Sequence, residues 1–232
     1  MSVVALVLAA GQGVRLGEPA PKALVRVAGR TMLEWSADAL GRASTVDAVQ
    51  AVLPPGCARD FESLRRSWSG PARLLEPVTG GETRQDSVSR GLDAALRELP
   101  HSEFVLVHDA ARCLVEPEDA ERVLEAARAT GAALPVLPVT DTVKIVEGGR
   151  VSGTPDRRTV ALAQTPQAFR VEILRRALDQ AERDAFRGTD CASLVERLGV
   201  EVVTCAGRSE NFKVTHPRDL ELAEARLLGS LG

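Results

Sequence analysis

Six short, almost continuously apolar segments recur along the chain and predict buried β-strands. They are rich in valine, as strands of a parallel sheet commonly are. They read VVALVLAA, VDAVQAVLP, ARLLEPV, EFVLVHDA, AALPVLPV and VEVVTCAG, beginning at residues 3, 46, 72, 103, 132 and 200. Strands that are apolar on both faces require a covering layer on each side of the sheet.

Amphipathic segments with helical periodicity separate these strands and predict the covering layers. The first carries a capping box, Thr31 with Glu34 three residues later, and Pro217 fits the first turn of a last helix that reaches about Leu228. The others span residues 59–68, 83–99, 117–130, 171–184 and 189–198, after a first helix at 31–42. The alternation predicts an α/β fold: one Rossmann-like domain, residues 1–232, with a mostly parallel sheet covered by helices on both faces.

Residues 141–169 break the alternation and read as a β-hairpin around Gly148 and Gly149, followed by further extended chain. The segment has little apolar surface of its own. A two-stranded ribbon is marginal in isolation, so it must lie on this domain or on a second copy of it. We therefore predict a protruding β-arm at residues 141–160.

Composition and charge limit the kinds of molecule that this chain can bind. The 232 residues are 44% hydrophobic and 26% charged, as in an ordinary globular protein, and the net charge is −3. An acidic balance argues against a nucleic-acid partner, because nucleic-acid-binding surfaces are usually basic over a whole face. Any anionic ligand must therefore meet a local cluster of cations.

The apolar run from Val3 to Ala10 lacks a basic flank and is too short for a membrane span or a typical signal peptide. We therefore expect no membrane partner and a cytoplasmic location. The cysteines have irregular spacings that suggest neither a zinc site nor a disulfide framework; they are Cys57, Cys113, Cys191 and Cys205.

The loop after the first strand, within LVLAAGQGVRLGEPAPKAL at residues 6–24, is the first candidate for chemistry. Its glycines let backbone N–H groups approach phosphates. A dinucleotide-binding loop would open directly into a helix, but Pro19 and Pro21 hold this chain extended, and a P-loop would need Gly-Lys-Ser/Thr where Glu18 stands. What remains is an open loop that presents Arg15 and Lys22 as a clamp for a polyphosphate.

The glycine-rich segment resembles the signature of nucleotidyltransferases that join a nucleoside triphosphate to an alcohol phosphate, and six further motifs narrow the resemblance. They are GGETRQDSV, VHDAAR, DTVK, TPQAF, GTDCASLVE and NFKVTHPRDLELAE, beginning at residues 80, 107, 141, 165, 188 and 211. In this order, over nearly the whole length, the chain is similar to the 2-C-methyl-D-erythritol 4-phosphate cytidylyltransferase family.

The resemblance implies transfer of CMP from CTP to an alcohol phosphate, with release of pyrophosphate and with Mg²⁺ on the triphosphate. A phosphate monoester is mostly dianionic near neutral pH and attacks phosphorus without a general base. The resemblance also implies a homodimer in which the arm crosses to the partner and completes its active site.

The same resemblance assigns roles to residues of this chain. Arg15 and Lys22 would be catalytic and would stabilise the pentavalent phosphorus. The nucleotide would be lined by Ala9, Ala10, Gly11, Gly13, Gly81, Glu82, Ser87, Asp109 and Ala110, with Asp109 also a metal ligand. The alcohol phosphate would be held by Arg112, Thr142, Arg157 and Lys213.

Several residues near these assigned positions also fit a purely structural role. Thr83 and Asp86 fit a helix cap, Arg84 fits either a solvated helix position or the site, His108 fits a packed strand residue, and Phe169 fits the core. Two other functions stay open at this point: a ribitol 5-phosphate cytidylyltransferase and a non-catalytic regulatory module on the same fold.

Overall fold

The fold is built on one central sheet, as the strand pattern predicts. The computed structural model describes residues 2–11 and 21–229. Within them nine strands form one sheet, whose main path runs β11-β8-β12-β7-β1-β4-β5, with β13 beside β8 and β6 beside β4. These strands are β1 Val3–Leu8, β4 Ala48–Leu53, β5 Arg73–Leu74, β6 Val78–Thr79, β7 Phe104–Asp109, β8 Ala132–Pro138, β11 Ala161–Ala163, β12 Gln167–Arg170 and β13 Val203–Ala206.

The central pairs are parallel. Strand β1 lies between β4 and β7, with Leu6 opposite Gln50 on one side and Val107 on the other. The prediction of a mostly parallel sheet is confirmed. The extended chain after the hairpin adds what the periodicity did not specify, because β11 and β12 run antiparallel to their neighbours within this sheet.

Helices cover both faces, also as predicted. They are α1 Met32–Arg42, α2 Ala58–Ser67, α3 Arg84–Glu98, α4 Pro117–Thr130, α5 Val171–Arg183, α6 Cys191–Glu196 and α7 Pro217–Gly229. One core joins the sheet to α1, α2 and α4 through Leu40, Phe61 and Leu124, and the other joins it to α3, α5 and α6. The predicted box at Thr31 is present: Glu34 N–H donates to Oγ1 of Thr31, and Thr31 N–H donates to the Glu34 carboxylate.

Two short hairpins lie outside the main sheet. Strands β2 (Arg26–Val27) and β3 (Arg30–Thr31) pair just before α1 and pack with α7 around Met32. Strands β9 (Ile145–Glu147) and β10 (Arg150–Gly153) form the predicted arm, which turns at Gly148 and Gly149. Both glycines have positive φ, 55° and 76°, as a tight hairpin turn requires.

The arm is exposed along its length. The exposed fractions of Ile145, Val146 and Val151 are 49%, 58% and 61%. Phe169, by contrast, is fully buried, so the interpretation of the TPQAF segment as structural is confirmed. None of the helices in the described part of the chain is long and apolar enough to span a membrane.

A candidate nucleotide and phosphate site at the carboxyl edge of the sheet

A cavity of about 950 Å³ opens where β1, β4, β6 and β7 end. Ligands of open α/β sheets bind at this edge, because the carboxyl ends of parallel strands and the loops that follow them converge there. The cavity is lined by Leu8, Ala9, Ala10, Gly11, Pro21, Lys22, Ala23, Pro54, Pro55, Thr79, Gly80, Gly81, Glu82, Thr83, Arg84, Ser87, Arg90, Asp109, Ala111, Lys213 and Thr215.

One wall of the cavity is the loop of Gly80 and Gly81, which leads into helix α3. A Cβ on Gly80 would lie 2.4 Å from Cβ of Ala10, and one on Gly81 would lie 2.3 Å from Cβ of Asp86. Side chains cannot be added at either position without moving backbone. The sequence therefore has glycine where β1 and α3 approach each other at the cavity.

The start of α3 holds this loop in place. Asp86 N–H donates to Oγ1 of Thr83 and Thr83 N–H donates to the Asp86 carboxylate, so the predicted helix cap is confirmed. The Ser87 hydroxyl donates to the Thr83 carbonyl at 2.9 Å and accepts from Gly81 N–H at 3.1 Å. Ser87 lines the cavity as expected, but its proton already bonds the loop.

A carboxylate between two cations forms the floor of the cavity. Asp109 ends β7, and its two oxygens accept from Nε of Arg84 at 3.1 Å and from Nζ of Lys213 at 2.6 Å. Burial would raise the pKa of Asp109, but the charges of Arg84 and Lys213 outweigh it and hold the pKa well below its usual range. Asp109 is therefore ionised at neutral pH.

Arg84 also contacts a buried sulfur. Its Nη1 lies 3.4 Å from Sγ of Cys191 at the start of α6. Burial opposes the charged guanidinium, yet the neighbouring Cys191 and Asp109 raise the pKa of Arg84 above its ordinary value. Burial also raises the pKa of the Cys191 thiol, so Asp109 is the charged partner near neutral pH.

Most of the proposed nucleotide residues line the cavity together. Ala9, Ala10 and Gly11 follow β1, Gly81, Glu82 and Ser87 surround the start of α3, and Lys22 faces them from the far side of the glycine-rich loop. Ala110 differs, because it is fully buried and its carbonyl accepts from the Ser36 hydroxyl; its neighbours Asp109 and Ala111 form the lining instead. Arg15 and Gly13 lie outside the described residues.

The residues proposed for the alcohol phosphate divide into three places. Lys213 lines the cavity. Arg112 lies behind it, donating to the carbonyls of Asn211 and Ala163 at 2.8 and 3.1 Å. Thr142 and Arg157 are exposed at the base of the arm, where Arg157 donates to the Thr140 carbonyl at 2.8 Å, and neither lines the cavity of its own chain.

Two cavity residues were missed or left undecided by the sequence. Arg84 is 28% exposed and belongs to the site rather than to the solvent. Arg90, six residues further along α3, donates to the Gly80 carbonyl at 2.9 Å and lines the same wall. Position in the first turns of a helix that follows a glycine loop is the signal that could have found both.

The acidic residues limit how a metal could bind. Among the described residues, no group of three His, Cys, Asp or Glu side chains converges on one point. Asp109 and Glu82 are the carboxylates of the lining. Mg²⁺ commonly takes one or two carboxylates and fills its remaining positions with substrate phosphates and water, so this donor set fits a metal carried mainly by a triphosphate.

The loop of Gly80 and Gly81 beside a cluster of cations, at the carboxyl edge of a parallel α/β sheet, fits a nucleoside polyphosphate, the substrate class of a nucleotidyltransferase. The chain belongs to the IspD family: the family model described as 2-C-methyl-D-erythritol 4-phosphate cytidylyltransferase matches residues 3–228.

Individual relatives agree with the family model. The 2-C-methyl-D-erythritol 4-phosphate cytidylyltransferase of Rhodococcus jostii is 47% identical and covers 96% of this chain and 94% of its own. The enzyme of the same name from Nocardia farcinica is 46% identical and covers 97% and 94%. The crystal structure of the Thermus thermophilus enzyme of that name superposes with a TM-score of 0.74 at 40% identity, covering 97% of this chain and 98% of its own.

Proposed function

We propose that this enzyme transfers CMP from CTP to 2-C-methyl-D-erythritol 4-phosphate, giving the CDP-alcohol and pyrophosphate for isoprenoid precursor synthesis. The observation that carries the proposal is the cavity that Lys22, Arg84 and Lys213 line together with the loop of Gly80 and Gly81. Family membership supplies the identity of the two substrates. Such a reaction on small molecules fits a cytoplasmic enzyme with no nucleic-acid or membrane partner.

The reaction requires that the two substrates be held in line and that cations stabilise the transition state. The alcohol phosphate is the nucleophile and is already mostly dianionic near neutral pH, so an oxygen attacks the α-phosphorus directly while pyrophosphate leaves opposite to it. Negative charge grows on the equatorial oxygens in the transition state. Cations held by the fold before the reaction stabilise that charge without reorganising.

Each side chain has a part in this scheme. Lys22, with Arg15, neutralises the charge that develops at the α-phosphorus. Lys213 favours the incoming phosphate from the cavity lining, and Arg112 adds positive charge from behind it. Gly80 and Gly81 line the cavity beside α3, where the nucleotide would lie. Asp109 fixes Arg84 and Lys213 by ion pairs at the floor of the cavity.

Asp109 would also hold Mg²⁺ bound with CTP, with Glu82 close by on the same lining. When bound, the metal supplies positive charge to the triphosphate oxygens and favours departure of pyrophosphate. Removal of divalent cations with a chelator should therefore abolish turnover, and added Mg²⁺ should restore it.

We also propose a homodimer with shared active sites. Thr142 and Arg157 stand at the base of an arm whose apolar side chains, Ile145, Val146 and Val151, are exposed in the single chain. If the arm lies on a second copy, Thr142 and Arg157 serve the partner's cavity and the apolar strands are covered. Symmetric dimers are the commonest assembly among soluble homo-oligomers.

Pyrophosphate release tests the reaction. The purified chain is mixed with Mg²⁺, CTP and the methylerythritol phosphate, with ribitol 5-phosphate and with ATP, GTP or UTP in parallel reactions. We expect release with CTP and the methylerythritol phosphate far above every other pair. Preference for ribitol 5-phosphate, or no release from any pair, would contradict the proposal.

Subunit exchange tests the shared site. Lys22→Ala and Arg157→Ala are each expected to be inactive, and after mild dissociation and reassociation about half the dimers pair one variant with the other. One site of each mixed dimer then carries both lesions and the other carries none, so about a quarter of all sites should recover. No recovery, with exchange confirmed by mass, would mean that both residues serve their own chain.

A further inference from the structure

Three distant segments meet behind the cavity, and a buried histidine links two of them. The segments are residues 108–112 at the end of β7, residues 163–165 before β12 and residues 208–214 before α7. They carry Asp109, Arg112 and Lys213, all of which the proposed function uses. His108 is fully buried.

The histidine bridges the first two segments through both ring nitrogens. Its Nε2 lies 3.3 Å from the Arg112 carbonyl, and its Nδ1 lies 3.1 Å from Oγ1 of Thr165. Oγ1 of Thr165 also accepts from the N–H of Asp109 at 3.1 Å. Two hydrogen bonds through Thr165 therefore join the ring to the backbone N–H of Asp109, and the ring directly contacts the backbone of Arg112.

The third segment is joined to the same residues. Nδ2 of Asn211 donates to the Thr165 carbonyl at 2.9 Å, and the Asn211 carbonyl accepts from Nη1 of Arg112 at 2.8 Å. Backbone N–H of Val214, next to Lys213, donates to the Ala111 carbonyl at 2.8 Å. The three segments thus form one hydrogen-bonded unit.

Donor and acceptor roles in this unit have a single consistent assignment. A carbonyl oxygen can only accept, so Nε2 of His108 must carry the proton that it shares with Arg112. Nδ1 of the neutral ring is then an acceptor, and the Thr165 hydroxyl donates to it while its oxygen accepts from Asp109.

We propose that His108, as the neutral Nε2–H tautomer, is a positioning residue that works with Thr165 to fix Asp109 and Arg112 for catalysis. The proposal rests on the proposed function for its kinetic consequence. The geometry favours this role over packing alone, because an apolar strand residue would leave the Arg112 carbonyl and the Thr165 hydroxyl without these partners.

Kinetics of a double-mutant cycle test the link. We expect His108→Asn and Thr165→Val each to lower kcat/KM about tenfold per folded enzyme, and the double variant to cost little more than either single variant. Thr165→Ser keeps the hydroxyl and should stay within about threefold of the wild type. His101→Asn, at an exposed position, is the control and should leave kcat/KM unchanged.

Two kinetic results would overturn the proposal. One is additive losses from His108→Asn and Thr165→Val, which would make the two residues independent. The other is kcat/KM per folded enzyme within about twofold of the wild type for both variants, with only thermal stability reduced.

Nitrogen-15 NMR of histidine-labelled wild-type protein at pH 7 gives a readout that needs no activity. We expect the His108 ring, assigned by its loss in His108→Asn, to show the shifts of the Nε2–H tautomer. Shifts of the Nδ1–H tautomer or of a charged ring would refute the assignment. If the wild type released no pyrophosphate, the proposed function would fail while this spectrum would still decide the hydrogen-bond unit.

Discussion

The cavity edge and the arm are built in opposite ways from the same chain. At the edge, residues that are far apart in sequence are tied by ion pairs, such as that between Asp109 and Lys213, and rest on the buried core of the sheet. In the arm, the neighbouring strands β9 and β10 pair with each other, and their apolar side chains are exposed.

The two regions differ in what supports their geometry. The edge achieves its geometry within one chain, because β1, β4 and β7 align its loops. The arm has no comparable support among the described residues of its own chain. A stable role for the arm therefore calls for a surface outside it, which is how the proposed dimer would use it.

Core and arm should differ most in stability. Phe169→Ala removes a fully buried ring between the sheet and α5 and should lower the free energy of unfolding by about 3–5 kcal/mol. Val146→Ser in the arm should change it by less than about 0.5 kcal/mol in dilute protein. Denaturant titrations measure both. If the difference in unfolding free energy between Val146→Ser and the wild type grew at high protein concentration, it would show that the arm docks on a second chain.

Removing a cation from the cavity and removing one from the arm should have different effects on kcat. Lys22→Ala should lower kcat by about a hundredfold with less change in KM, because it removes preorganised charge at the cavity. Lys144→Ala is the matched control, since Lys144 is exposed and contacts Thr154 within the arm. Steady-state kinetics decide the point: a raised KM with normal kcat for Lys22→Ala would make this residue a substrate ligand alone.

Arg157 lies between the two regions and should show a smaller, selective effect. Arg157→Lys keeps the charge but loses the planar, two-pronged contact to phosphate, so KM for the alcohol phosphate should rise about tenfold. KM for CTP should stay near that of the wild type. Equal losses for both substrates would remove Arg157 from the alcohol phosphate site.

Glycine positions give the finest comparison. Gly81→Ala forces a Cβ to within 2.3 Å of Asp86 and should raise KM for CTP by about threefold to tenfold as the loop shifts. Gly153→Ala in the arm places its Cβ 3.5 Å from Ile145, an ordinary contact, and should leave KM unchanged. If Gly81→Ala bound CTP normally, the close approach of the loop to α3 would have no part in nucleotide binding.

Much of the fold could be predicted because its signals are local. Continuous valine-rich runs marked the central strands, and the box at Thr31 marked the start of α1. Strands β11 and β12 were less visible, because their direction depends on where the chain returns after the arm. Periodicity reports which residues are apolar and does not report that return.

The candidate site was predictable only in part for a similar reason. Lys22, Gly81 and Asp109 stand beside strand ends or in a glycine loop, so local pattern and family resemblance both pointed to them. Arg84 could be assigned to the cavity only once Asp109 was placed within reach of it. Ala110 illustrates the converse, since one step along the chain turns a side chain from the cavity into the core.

The ion pair between Asp109 and Lys213 joins residues that the ribosome synthesises far apart in time. Chains are synthesised from the N-terminus at about 5–20 residues per second and begin to fold as they emerge. Arg84 and Asp109 leave the ribosome early, and Lys213 follows 104 residues later. A nascent chain halted before that point carries the segments of most strands of the central sheet but lacks one cation of its cavity. A chain that ends before Lys213 should therefore bind anionic ligands more weakly than the full chain.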